Sequence, residues 1–314
     1  NIDYRNKQYN SALNKLNIAR KLAPDREDIR GFIRQVETQL GTAKPTAENS
    51  PTQAAKVQPI QSVSAKPLLS LSMIVKNEEK HLPGCLESVR GSVDEIVIVD
   101  TGSTDSTAEI AAAYGAKVVK FDWINDFAAA RNEALKNSTG EWILYLDADE
   151  RLNIYPNQDK FRKMLTEVTE DIGALICTIE SEHLQLDGSV EHHRGGYPRV
   201  FRNYGYPRIA FQGRVHEQIT PSIIAIGKSI ILSDITIEHL GYNVSREVME
   251  QKIKRNYDML IKHVSDEPLN AYAWYQLGQT LSHMTLFVEA EKAIRFATDL
   301  GKLSAPVFAS ASAT

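Results

Sequence analysis

Between residues 68 and 146, four short apolar runs are separated by three stretches with helical patterning, and this alternation limits the chain more than any other feature. Residues 68–75 read as a strand. Residues 79–89 follow as a helix, with Pro83 tolerated in its first turn. Residues 95–99 form an apolar run bounded by Asp94 and by Thr101-Gly102-Ser103, the pattern of a buried strand. Ser103 or Thr104 is placed to cap a helix that runs to Tyr114. Residues 116–121, 126–137 and 142–146 then read as strand, helix and strand, with Gly140 just past the helix. Alternation at this spacing builds a largely parallel sheet with helices on its faces. Ligands of such sheets bind beyond the carboxyl ends of the strands.

The flanks differ. Ala12, Leu16 and Ala19 share a helical face, Pro24 interrupts it, and a second helical stretch runs from Ile29 to Leu40, before Gly41. Residues 42–67 carry Pro45, Pro51, Pro59 and Pro67 among small polar residues, without periodicity, and read as a flexible linker. Beyond Arg151, residues 174–179 and 229–237 read as strands and 245–263 as an amphipathic helix, with a loop-rich region between. Trp274, Leu277 and Gly278, followed by Phe287, Ala290, Ile294 and Ala297, fit a helix-turn-helix repeat of about 34 residues. Both ends resemble tetratricopeptide repeats. The organisation expected is therefore repeat-like helices over 1–41, a linker over 42–67, an α/β domain over 68–245 and repeat-like helices over 246–314.

Asp147-Ala148-Asp149 directly follows the fourth apolar run. Two carboxylates there are poorly suited to a core, because unpaired buried charge is costly. At a strand end they can share a hard divalent cation, or form a solvated acidic turn. Asp100, with Thr101 to Asp105, ends the second run at the same edge, and Asn77 and Glu78 end the first. Asp126, Arg131 and Asn132 lie on the helix before the fourth. One edge thus gathers polar groups from four segments. His216-Glu217 opens like a zinc-protease motif, but Thr220 stands where the second histidine is needed. Arg194, Arg199, Arg202, Arg208 and Arg214 fall in a window free of Asp and Glu, behind Gly195-Gly196. Such a window suits an anionic diphosphate, an acidic acceptor or a solvated face. No P-loop and no dinucleotide-binding glycine motif is present.

Residues 71–79 (LSMIVKNEE), 93–107 (VDEIVIVDTGSTDST), 126–135 (DFAAARNEAL) and 142–150 (WILYLDADE) together resemble the nucleotide-binding half of family 2 glycosyltransferases. With the flanking repeats, the chain is similar to the subgroup of bacteriocin S-glycosyltransferases. The resemblance implies a GT-A fold: a Rossmann-like, mainly parallel sheet with helices on both faces. It implies that Val75, Asn77, Glu78, Asp100 and Thr101 hold the base and ribose, and that the helix with Asp126 and Arg131 closes over the nucleotide. Ala148 and Arg199 join that nucleotide-sugar set. Asp149 is implied as a metal ligand, with Asp147 on the metal or its water and His239 completing the site. Glu217 is implied as the catalytic base, and His216 stays open as an alternative ligand to His239. The expected reaction is metal-assisted inverting transfer from a UDP-sugar, with Mn²⁺ or Mg²⁺, to a protein or peptide side chain. A catalytically inactive repeat scaffold and a glycan-extending transferase remain the competing readings.

Composition narrows the partners. The net charge of -4 argues against nucleic acid, which needs a basic face. Cys85 and Cys177 are too few for a disulfide framework or a four-cysteine metal site, which suggests a reducing, cytoplasmic location. No apolar run reaches the roughly 18 residues of a membrane span.

Overall fold

Runs that are apolar on both faces need cover on both faces, and the computed structural model supplies it. It describes residues 66–154, 157–184, 190–240, 246–301 and 303. The helices expected over 1–41 and nearly all of the expected linker lie outside the described residues.

Strands β1 (Leu69–Val75), β2 (Glu95–Asp100), β3 (Lys117–Lys120) and β4 (Trp142–Tyr145) pair in parallel in the order β3-β2-β1-β4. Leu71, Met73, Ile98 and Leu144 have no exposed surface, and burying each contributes about 1.5–3 kcal/mol. Helix α1 (Leu82–Ser88) packs Leu82, Cys85 and Leu86 into the cluster on one face. Helix α3 (Phe127–Asn137) covers the other face, with Ala134 against Val97 and Val99, and Ala128 and Leu135 in the cluster of Ile143. Helix α2 (Thr107–Ala113) starts later than the sequence suggests. Neither Ser103 nor Thr104 caps it. Asp105 instead accepts from the Thr107 amide at 3.0 Å, while Ser103 and Thr104 hold the preceding loop. Register aligns Val75 with Asp100 and Ser72 with Tyr145, so three strands deliver their following residues to one edge.

Past β4 the sheet changes character. The chain turns straight into β5 (Glu150–Asn153), without a crossover helix. After α4 (Gln158–Glu167) come two long strands, β6 (Ile172–Leu184) and β7 (Val190–Arg202). Then α5 (Thr220–Ala225) leads into β8 (Ser229–His239). β7 is antiparallel to both β4 and β6, β8 is parallel to β6, and β5 is antiparallel to β8. The eight-stranded order among the described residues is β3-β2-β1-β4-β7-β6-β8-β5. The sheet is therefore mixed: β3, β2, β1 and β4 pair in parallel, whereas β7 runs antiparallel to both its neighbours and β5 is antiparallel to β8. The loop read over the arginine window is a strand as well: Arg194, Arg199 and Arg202 sit on β7, and their partners are scattered.

Three helices end the described chain: α6 (Arg246–Asp266), α7 (Ala271–His283) and α8 (Phe287–Asp299). Asn270 caps α7 by accepting from the Ala273 amide at 3.0 Å. Gly278 lets α7 and α8 approach closely, because a Cβ there would collide with Ile294. Met259, Leu260 and Val264 of α6 share a buried cluster with Leu277 and Ala290, and also with Val215, Trp123 and Phe127 of the α/β part. Among the described residues no helix is long and apolar enough to cross a membrane.

Candidate active site

The acidic turn after β4 is fixed from several sides. The Asp147 amide donates to Glu150 Oε2 at 2.8 Å, and the Glu150 amide donates to the Asp147 carbonyl at 3.0 Å. Arg151 donates to the Ala148 carbonyl at 2.9 Å and to the His81 carbonyl at 3.0 Å. The carboxylates therefore project from a rigid corner.

Two buried guanidiniums flank the ring of Tyr145, Arg131 at 4.9 Å and Arg199 at 4.5 Å from its centre. Arg131 donates through Nη2 to Asp147 Oδ1 at 2.7 Å and through Nε to Glu217 Oε1. Arg199 donates to Glu150 Oε1 at 2.6 Å and lies 3.9 Å from Asp147 Oδ2. Burial pushes the Asp147 carboxyl up, but the two guanidiniums outweigh it and hold its pKa at about 2. At Glu78 the charge of Lys252 does not offset burial. Burial, with the charges of Asp149 and Asp147 behind it, pushes its pKa to about 7. The buried Nη1 of Arg131 and Nε of Arg199 have no hydrogen-bond partner among the described residues.

Glu217 reaches this point on a tight loop closed by the mutual amide–carbonyl bonds of Gln212 and Gln218, at 3.0 and 2.9 Å. Gly213 turns the loop with φ +99°, a conformation that side chains disfavour. Asn132 of α3 grips both the amide and the carbonyl of Phe211 at its base, at 2.8 and 3.0 Å. His216 also takes a positive φ, 55°, and burial lowers its pKa.

The register Glu150–His239 brings the end of β8 to the same corner. His239 Nε2 lies 3.3 Å from Asp149 Oδ2, and its Nδ1 lies 3.4 Å from Ser181 Oγ. Burial opposes protonation of this imidazole, but the hydrogen bond and charge of Asp149 raise its pKa. One carboxylate oxygen and one imidazole nitrogen, with the ring oriented from behind, suit a cation such as Mn²⁺. Asp147 faces guanidiniums instead. Among the described residues no group of three or more His, Cys, Asp or Glu side chains could hold a metal. Among the described residues, Asp149 and His239 are the pair at this corner that a cation could share.

A cleft of about 410 Å³ collects Val75, Glu78, Thr101, Arg131, Asp147, Ala148, Asp149, Glu217 and His239. Arg199 lines the adjoining pocket of about 330 Å³, which shares Asp147 and His239 with the cleft. The remaining three expected residues sit outside both. Asp100 accepts from the amides of Gly102 and Ser103 at 3.1 and 2.8 Å, fixing the turn after β2. Asn77, with φ 58°, accepts from the Thr104 amide at 2.8 Å. Asp126 caps α3 by accepting from the Ala129 amide at 2.9 Å. The motifs did not single out Glu150, which lines the adjoining pocket, Tyr145, which lies between the two guanidiniums, or Trp123, Lys252, Arg255 and Asn256, which line the cleft. Glu150 and Tyr145 were within the residues that carry the resemblance. Nothing in the α6 pattern separates its lining residues from ordinary surface charge.

Residues 70–231 match the family described as glycosyl transferase family 2. A TPR repeat-containing protein of Synechococcus elongatus is 39% identical over 68% of this chain and 52% of its own length. The SPbeta prophage-derived glycosyltransferase SunS of Bacillus subtilis is 29% identical over 69% of this chain and 50% of its own. The chain thus spans about half the length of these curated relatives. Among solved structures, TarS 1-349 of S. aureus in complex with UDP-GlcNAc is similar, at 16% identity and a TM-score of 0.45. That match covers 73% of this chain and 81% of the other.

Proposed function

The chain belongs to glycosyl transferase family 2, and from that premise we propose that it transfers a sugar from a UDP-sugar to a protein or peptide side chain, with inversion and with a divalent cation. The observation that carries this reading is Arg131, which ties the strand-end carboxylate Asp147 and the loop carboxylate Glu217 into one cleft.

Each residue then has a task. Val75, Glu78 and Thr101, at the ends of β1 and β2, face the nucleoside. Asp149 and His239 would hold Mn²⁺ or Mg²⁺, which would neutralise charge on the departing diphosphate. Asp147, kept ionised by Arg131 and Arg199, orients polar groups of the donor. Glu217 has one oxygen held by Arg131, and its other oxygen accepts the acceptor's proton. A carboxylate so placed contributes about 10²–10⁴-fold. The proton passes from the acceptor hydroxyl or thiol to Glu217 as the new glycosidic bond forms and the sugar–phosphate bond breaks, so no covalent enzyme intermediate is needed.

The fold behind this is read as GT-A, with α7 and α8 as a tetratricopeptide-like pair after the α/β domain. Such pairs form concave surfaces for peptides, which supports a protein or peptide acceptor. The relative named for its TPR repeats supports the same reading. The test is a screen of nucleotide sugars against candidate peptides, recording released nucleoside diphosphate with and without Mn²⁺. UDP release that needs both peptide and metal is expected. Release from no nucleotide sugar, or transfer to free glycans alone, contradicts the proposal.

A further inference from the structure

Helix α6 carries one stripe at helical spacing: Lys252, Arg255 and Asn256, then Met259 and Leu260, then His263 and Val264. Met259, Leu260, His263 and Val264 are buried, the three apolar ones in the cluster with α7 and Val215. The stripe is buried from Met259 onward, while Lys252 and Arg255 are exposed at the cleft. Where it passes from α7 to the cleft, its side chains change from apolar to cationic, and Lys252, Arg255 and Asn256 line the cleft. The other wall carries Glu78, Asp147, Asp149 and Glu217.

Among the described residues neither Lys252 nor Arg255 makes an ion pair, although Lys252 is close enough to Glu78 to act on it through charge. Arg255 is nevertheless held in place. Its guanidinium lies 5.1 Å from the centre of the Phe127 ring and donates to Asn256 Oδ1 at 3.2 Å. A planar fork on an aromatic ring, one helical turn from a lysine and facing a carboxylate wall, is suited to an anion that also carries a cation.

We propose that Lys252 and Arg255 of α6 bind the diphosphate of the donor, so that the C-terminal helices are part of the donor site and not an appendage to it. This rests on the nucleotide-sugar reading above. The diphosphate lies between the two walls, with the metal ligands Asp149 and His239 on one side and the α6 cations on the other. The α6–α8 cluster also contains Val215, two residues before Glu217, so the same helices support both the cationic wall and the base loop.

The test is calorimetric titration of the full chain with UDP and with uridine, in the presence of Mn²⁺. It compares wild type with Lys252→Ala/Arg255→Ala, and with Lys254→Ala as a control on the same helix outside the cleft. The double variant is expected to lose about tenfold or more in UDP affinity. Its uridine affinity and melting temperature should match the control, and Lys252→Arg should keep most of the UDP affinity. If wild type binds UDP and the double variant binds it equally well, α6 has no part in the site while the donor reading stands. If wild type binds neither UDP nor other nucleoside diphosphates, both fall. A double variant with a lowered melting temperature is judged by Lys252→Gln alone, where unchanged UDP affinity overturns the proposal.

Discussion

β4 buries all four of its residues, whereas β8, three places along the same sheet, exposes or half-exposes nine of its eleven. The contrast extends to the flanks. β1, β2 and β4 are covered on both faces and give a rigid edge. β6, β7 and β8 carry Ser181, Arg199 and His239, which supply the partners that the carboxylates of that edge need. One flank places the acidic corner, and the other determines what it can do. Arg131, on a helix of the first flank, reaches the carboxylate of Glu217 on a loop of the second.

The largest expected effect falls on that loop. Glu217→Gln should lower transfer by about 10²–10⁴-fold while UDP binding stays within a few-fold, by single-turnover kinetics and calorimetry. Retained transfer would move the base elsewhere and leave the second flank without its proposed chemistry. Next comes the rigid edge. Leu144→Ala, at a fully buried position of β4, should cost about 2–5 kcal/mol in denaturant unfolding. The same substitution at Leu232 of β8, which is 79% exposed, should stay within about 0.5 kcal/mol. Similar losses at the two leucines would erase the distinction between the flanks.

The same contrast explains what was legible in the residues. Ile96 to Val99 and Ile143 to Leu146 could be read because continuous apolar runs in a covered sheet have few alternatives. Strand β7 could not, because Gly195-Gly196, Pro198 and repeated arginines carry the marks of a loop. Its pairing with β6 is set by tertiary context. The acidic corner was visible as Asp147-Ala148-Asp149, and Glu217 and His239 were named only through resemblance. Their convergence depends on the Glu150–His239 register and on the Gln212–Gln218 closure, which join residues distant in sequence or depend on loop shape. Asp100 and Asp126 also stood at that edge, and in the structure they fix a backbone turn and a helix start. Lys252 and Arg255 remained hidden because a cation on a helix is ordinary until the fold places it beside a cleft.

The central claim is that a carboxylate of the first flank and an imidazole of the second form one cation site. Metal-stimulated UDP binding, measured for wild type, Asp149→Ala, His239→Ala and the double variant, tests it most directly. Each single change should remove the stimulation by Mn²⁺, and the double should lose no more than either alone. Full stimulation in His239→Ala, or additive losses in the double, would contradict it.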